Sequence, residues 1–143
     1  MEPEKQLSMH EILAETEKLS ARKDKVAFLK KHYSKHMHEA LAFAYDPRVK
    51  WLLPSGSPPY KPLESQDAKT NLHRECRLGK LYYFVQGGKG QNINGIRLES
   101  MFVDLLESVD PEDAKLLLAL KDKQIPYRGV TQKLIEEAWG ELN

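Results

Sequence analysis

The segment PRVKWLLPSGSPPYKP, residues 47–62, restricts the fold more than any other part of the chain, because it holds five of the eight prolines. Proline lacks the amide proton that a helix interior or a central strand uses, so this stretch forms neither. The same stretch contains Trp51, Leu52, Leu53 and Tyr60, which make it too apolar for a flexible linker. We therefore predict an ordered loop that its aromatic residues hold against the core.

Outside this loop the apolar residues recur mostly at helical spacing. The sequence predicts an all-α fold, a single compact domain of about seven helices that spans residues 1–143. LYYFV, residues 81–85, is the only strand candidate. The fourth helix is predicted from Asn71 to Val85, and Tyr33 is expected to face inward from the second. The residues predicted to cap helices are Ser8 (with Glu11 in a capping box), Ser20, Ser34, Asp110 and Thr131.

Length and composition place the chain among globular proteins that do not enter membranes. No apolar run approaches the roughly 18 residues that a membrane span needs, and the acidic N-terminal stretch is unlike a signal peptide. The single cysteine, Cys76, excludes an internal disulfide and fits a reducing cytosol. The net charge is +1, but residues 98–119 carry six acidic side chains against Lys115 alone. The basic residues before this segment permit polyanion binding on one face.

No motif in the chain predicts an enzyme, a metal or a cofactor. GGKG, residues 87–90, has no Ser or Thr after Lys89 and no convincing preceding strand, so a flexible connector fits better than a phosphate-binding loop. His32, His36 and His38 lack companion ligands and are interpreted as surface histidines. Cys76 is interpreted as a structural or idle thiol.

Basic residues supply a first candidate surface for phosphate contacts. On the predicted fourth helix, His73, Arg77 and Lys80 share a face, and Arg74 lies beside them. Together with basic residues of the second and third helices they are candidates for phosphate contacts; those residues are Arg22, Lys23, Lys25, Lys30, Lys31 and Lys35. The alternative is that these side chains only solvate helix exteriors.

The stretch IPYRGVTQK, residues 125–133, is a second candidate for phosphate contacts. Gly129 allows close backbone approach, and amides at a helix N-terminus attract anions. The residues predicted to take part are Arg128, Gly129, Val130, Thr131 and Lys133. The alternative is a corner in which Pro126 ends one helix, Tyr127 packs, and Thr131 caps the next.

Two stretches carry a resemblance to known proteins. HEILAE (residues 10–15) and DAKLLLALKDKQIPYRGVTQKLIEEAWGEL (residues 113–142) resemble the helical N-terminal DNA-binding domain of T-even-type phage ATP-dependent DNA ligases, with Lys121-Asp122, Gly129 and Trp139 as counterparts. The whole chain, especially AYDPRVKWLLPSGSPPYKP, is similar to small uncharacterised proteins of T-even-like and cyanobacterial myophages. No Lys-X-Asp-Gly adenylation motif occurs, which excludes ligation.

The resemblance implies a non-enzymatic phage accessory protein that binds the backbone of duplex DNA in the cytoplasm of the infected bacterial host. One alternative is a protein–protein interaction module for a phage or host replication or defence component, with Trp51 and Tyr60 in its interaction loop. Another alternative is a component of the virion.

An all-α chain of this kind should give a circular dichroism spectrum with helix content well above the roughly one-third of an average domain. A spectrum dominated by strand would contradict the predicted fold class.

Overall fold

Seven α-helices dominate the computed structural model of the protein, which describes residues 6–64 and 68–142. They are α1 (Met9–Lys18), α2 (Arg22–Lys31), α3 (Lys35–Tyr45), α4 (Leu72–Arg77), α5 (Gly95–Leu106), α6 (Pro111–Lys121) and α7 (Gln132–Trp139), with a 3-10 turn at Lys80–Tyr83. Within the described ranges no β-strand forms, and one antiparallel bridge joins Trp51 to Val85. The predicted all-α class is therefore confirmed.

Polar caps determine where most of these helices begin. The Ser8–Glu11 capping box precedes α1 as predicted. The Ser34 hydroxyl accepts from the Met37 amide at 3.2 Å, and the Thr131 hydroxyl accepts from the Leu134 amide at 3.2 Å. The prediction for Ser20 is wrong: the chain stays extended through Ala21, which precedes α2 without a side-chain cap.

The fourth helix is much shorter than predicted. It ends at Arg77 because Gly79 takes a left-handed conformation with φ +76°, which glycine adopts without steric cost. Residues 80–83 continue as a 3-10 turn, so most of the strand candidate LYYFV lies in that turn and only Val85 takes part in the β-bridge. The predicted continuous helix from Asn71 to Val85 is wrong, and the chain turns a corner instead.

One hydrophobic core joins all seven helices. Helix α2 packs against α7, α3 packs against α4 and α6, and α1 packs against α2 and α6. Phe102 of α5 is fully buried and meets the Phe84 ring edge-on at 5.2 Å. Tyr33 departs from its prediction, because α2 ends at Lys31 and leaves this side chain 54% exposed.

The proline-rich loop lies against this core, as predicted. The Trp51 indole N–H donates to the Phe43 carbonyl at 3.1 Å, and the two rings meet edge-on at 6.0 Å. The backbone on either side of Trp51 pairs with residues 84 and 86, since the Leu52 amide donates to the Phe84 carbonyl at 2.8 Å. Tyr60 is partly buried against the same core.

A buried lysine holds the tip of the loop. The Lys121 side chain, at the end of α6, is only 1% exposed. Its ammonium donates to the carbonyls of Pro54 and Gly56, both at 2.9 Å, and to the Asp122 carboxylate at 2.6 Å. That carboxylate also accepts from the Gly56 amide at 3.1 Å. The Lys121-Asp122 pair therefore fixes residues 54–56.

Replacing Trp51 tests how much the loop depends on its aromatic contact. Trp51→Ala should lower the free energy of unfolding by about 3 kcal/mol, because it removes a large packed side chain. Trp51→Phe keeps an aromatic ring against the core but loses the hydrogen bond to Phe43 and part of the packed surface, so its cost should be smaller, about 1–2 kcal/mol. Urea denaturation measures both; equal stability of all three proteins would mean that the loop is not held here.

Candidate nucleic-acid interface

Three exposed basic side chains surround the turn at Gly79. Arg74 and Arg77 lie three residues apart, so they share a face of α4, and Lys80 opens the 3-10 turn. None of the three forms an ion pair with another residue in the described ranges. Their charges are therefore available to an external anion. We call residues 74–82 the α4 corner.

His73 does not belong to this surface, contrary to its prediction. The ring is partly buried, and its Nε2 lies 3.0 Å from the Leu7 carbonyl oxygen. Burial lowers the pKa of His73, so the ring is neutral near pH 7. It ties α4 to the segment before α1.

Exposed apolar side chains separate the basic ones at the α4 corner. Leu78 is 53% exposed and Tyr82 is 44% exposed. The Tyr82 ring meets the buried Phe43 ring edge-on at 5.1 Å, which holds it in place beside Gly79. The corner therefore presents a rigid surface of mixed basic and apolar character.

A groove of about 510 Å³ opens between the α4 corner and α5. Lys80 and Arg97 line it, but so do Glu75 and Asp104. The carboxylates would repel a polyphosphate inside the groove. A nucleic-acid backbone is therefore better accommodated along Arg74 and Arg77 than within this cleft.

Helix α2 carries the second group of predicted basic residues, and part of it is engaged within the protein. The Arg22 guanidinium donates to the Glu137 carboxylate of α7 at 2.7 and 2.8 Å. Lys25 donates to the carbonyls of Thr16 and Glu17 at the C-terminus of α1. Three other lysines of α2, Lys23, Lys30 and Lys31, have exposed side chains.

The Gly129 turn has the predicted shape, but a carboxylate of the protein lies at it. Gly129 has φ +76°, a conformation that disfavours any side chain. The Arg128 amide donates to the Glu17 carboxylate, and the Val130 amide donates to the Tyr127 carbonyl at 3.1 Å. The Val130 amide, which was predicted to face a phosphate, is thus already bonded within the turn, and the residue is buried. Arg128 and Lys133 remain exposed.

The turn therefore already holds an anionic oxygen from Glu17. A phosphate would have to displace this carboxylate or bind beside it, through Arg128, Lys133 and the start of α7. The capping role predicted for Thr131 is confirmed, and the partly buried Tyr127 packs against the core. The pKa of Tyr127 is raised to about 12, mainly by burial.

A polar cluster links α1, α4 and α6. Asp113 is buried, and its Oδ1 lies 2.8 Å from Nδ1 of His10 and accepts from the His10 amide at 3.2 Å. Burial raises the pKa of the nearby Cys76 thiol to about 12, which keeps it protonated at neutral pH. Sequence reasoning missed this cluster, because His10 and Asp113 are 103 residues apart and no local pattern connects them.

The cluster resembles a Ser-His-Asp triad in composition but not in geometry. The Ser8 hydroxyl lies 3.0 Å from Nδ1 of His10, the same nitrogen that contacts Asp113. A catalytic triad uses the two ring nitrogens separately, one for the nucleophile and one for the carboxylate. The Ser8 hydroxyl also caps α1. This arrangement holds the start of α1 against α6.

The prediction that His36 is a surface histidine is wrong. Its Nδ1 is buried, as is that of His73, and neither atom has a hydrogen-bond partner among the described residues. Helices α3 and α4, which carry these two residues, pack against each other. In residues 6–64 and 68–142, no group of three or more His, Cys, Asp or Glu side chains is arranged to hold a metal ion.

Comparison with known families assigns the chain to one of them. The family model DUF6433, a family of unknown function, matches residues 12–127. The chain belongs to the DUF6433 family. The DUF6433 match includes the proline-rich loop, Lys121 and the α4 corner, whereas the Gly129 turn and α7 follow it. No curated protein and no solved structure matches the chain.

None of the helices in the described residues has the length and apolar character needed to cross a lipid bilayer.

The His10–Asp113 contact predicts a pH-dependent contribution to stability. Burial opposes protonation of His10, but the hydrogen bond and charge of Asp113, with Asp110 and Glu11, outweigh it and raise the pKa of His10 above 6.5. Because the folded pKa is the higher one, this stabilisation is complete below the unfolded pKa and is lost as pH rises through the folded pKa. His10→Gln should therefore reduce the free energy of unfolding most below about pH 6.

Urea denaturation from pH 5 to 9 measures this difference between wild type and His10→Gln. His73 has the opposite shift, but it is present in both proteins and cancels in the comparison to first order. Asp113→Asn should remove the same pH-dependent component. A difference that stays constant across the pH range would contradict the assignment.

Proposed function

We propose that this DUF6433 protein is non-enzymatic and binds the phosphate backbone of duplex DNA at the α4 corner. The observation that carries the proposal is that Arg74, Arg77 and Lys80 are exposed, close together and without an ion-pair partner in the described part of the chain. Guanidinium groups hold phosphate oxygens in a bidentate manner, and such contacts carry no sequence information. Binding should therefore be indifferent to DNA sequence.

Rigid support favours the α4 corner over a flexible basic tail. The Gly79 conformation, the Tyr82–Phe43 contact and the His73–Leu7 contact fix the backbone from which these side chains extend. A backbone that is already ordered loses less conformational entropy on binding.

Further contacts can come from exposed lysines of α2 and from the start of α7. We assign secondary roles in phosphate contact to five exposed residues of these elements and the adjoining turn: Lys23, Lys30, Lys31, Arg128 and Lys133. Arg22 has a smaller role, since its guanidinium is held by Glu137. The Gly129 turn contributes only if the Glu17 carboxylate moves away from the Arg128 amide.

The resemblance to myophage proteins and to the ligase DNA-binding domain supports a place for this protein in the cytoplasm of an infected bacterium. There it would act as an accessory to DNA transactions, without ligating DNA itself. This setting is part of the proposal.

A protein partner of phage or host origin is the second candidate. It is favoured by Ile96, whose side chain is 83% exposed in the first turn of α5, and by exposed Leu78 at the α4 corner. Trp51 and Tyr60 are less suited to this role than the sequence suggests, because both pack against the core.

A salt titration of labelled-duplex binding tests the DNA proposal. Log affinity should fall steeply with log salt, and each lost phosphate contact should flatten the slope by about 0.9. Arg77→Ala and Lys80→Ala should each have this effect. Lys115→Ala is the matched control, because it removes an exposed lysine from the acidic side of the protein, where Lys115 pairs with Glu112.

Circular dichroism should show that all three variants keep the wild-type fold. If the wild-type protein does not bind duplex DNA at low salt, the DNA proposal fails and the protein-partner candidate takes its place. If Lys115→Ala flattens the slope as much as Arg77→Ala does, the α4 corner is not the contact.

A further inference from the structure

Three aromatic rings meet on the surface where the ends of α2 and α7 approach the start of α3. The Tyr33 and Trp139 rings are perpendicular, with centroids 5.7 Å apart, and the His38 ring lies 6.1 Å from Trp139 and 6.4 Å from Tyr33. Tyr33 is 54% exposed, although tyrosine is usually partly buried in folded proteins. Nothing in the proposed duplex site uses this group, which we call the aromatic triad.

Hydrogen bonds to the backbone hold two rings of the triad, those of Trp139 and His38. The Trp139 indole N–H donates to the Leu29 carbonyl at 2.7 Å. Nε2 of His38 lies 3.0 Å from the Gly140 carbonyl oxygen. Trp139 and His38 therefore form a fixed base against which the Tyr33 ring packs, and their side chains have little freedom left to lose when a ligand binds.

Three exposed lysines lie close to Tyr33 in the chain. Lys30 and Lys31 end α2 just before Tyr33, and Lys35 begins α3 two residues after it; all three side chains are exposed. The first turn of α3 contains no acidic residue. An aromatic face bordered by ammonium groups is complementary to a nucleotide, since the base stacks and the phosphates pair with the lysines.

Acidic residues lie on the α7 side of the triad. Glu137 pairs with Arg22, and the Glu136 carboxylate accepts from the Leu142 amide at 3.0 Å, but Glu141 is exposed. A phosphate chain should therefore pass over the lysine side, along residues 30–35, and avoid the end of α7.

From this arrangement we infer that the aromatic triad is a stacking platform for an unpaired base of single-stranded DNA, with Tyr33 as the contacting ring. The bases of a duplex are stacked on each other and cannot reach it. This inference stands apart from the proposed duplex contact at the α4 corner. The two share Lys30 and Lys31 as secondary phosphate contacts, but the duplex contact does not use Tyr33 and needs no free base.

The test compares two labelled probes of equal length and charge: an oligothymidylate and an abasic deoxyribose-phosphate chain. Wild-type protein should bind the oligothymidylate about 10-fold more tightly than the abasic chain, because stacking favours the probe that has bases. Tyr33→Leu should lose this preference while its affinity for the abasic chain stays the same. Tyr33→Phe retains an aromatic face and should keep the preference.

Two controls separate this inference from the duplex proposal. Arg77→Ala should leave the preference for bases intact, and Tyr33→Leu should leave duplex affinity unchanged. Thermal melting checks that each variant is folded. Equal affinity of wild type for the two probes, or a preference that survives in Tyr33→Leu, would overturn the inference. Failure to bind either probe would also overturn it and leave the exposed ring to a protein partner.

Discussion

A charged ammonium group removed from water must have its donors satisfied, and Lys121 meets this requirement with the carbonyls of Pro54 and Gly56 and the carboxylate of Asp122. The proline-rich loop is therefore tied to the end of α6 at its tip and to α3 near Trp51. Its path determines where the chain re-enters the helical core before α4. The Lys121-Asp122 pair, one of the counterparts in the ligase resemblance, acts here as a structural support.

The basic residues fall into two physical classes. Arg22, Lys25 and Lys121 satisfy carboxylates or carbonyls of the protein, so their charges stabilise the fold. The basic residues at the α4 corner and on either side of Tyr33 in the chain are exposed, and these are the residues that we propose contact nucleic acid. The acidic segment, residues 98–119, likewise contains side chains that are engaged within the protein. Asp113 contacts His10, and the Glu107 carboxylate accepts from the Lys61 amide. Net charge alone conceals this distribution.

The sequence predicts those parts of the fold that depend on neighbouring residues. Helix starts at Ser8, Ser34 and Thr131 follow from a hydroxyl placed three residues before the amide it accepts from. The end of α4 was missed, because apolar spacing continues past Gly79 although its backbone is left-handed. The contacts of His10 with Asp113 and of Glu17 with Arg128 join residues more than 100 positions apart, where periodicity carries no information. The basic residues of the α4 corner are thus predictable from the sequence, whereas the internal contacts that engage Arg22, His73 and the Gly129 turn require the structure.

The packing of α7 on α2 has a consequence for how the protein is made. Trp139 and Glu137 contact Leu29 and Arg22 across more than 100 residues of chain. Synthesis proceeds from the N-terminus, so α2 leaves the ribosome long before its partner exists. Until then the apolar side of α2 has no cover from α7, and the rings of Tyr33, His38 and Trp139 are not assembled. The aromatic triad therefore forms only after α7 has been synthesised, more than 100 residues after α2.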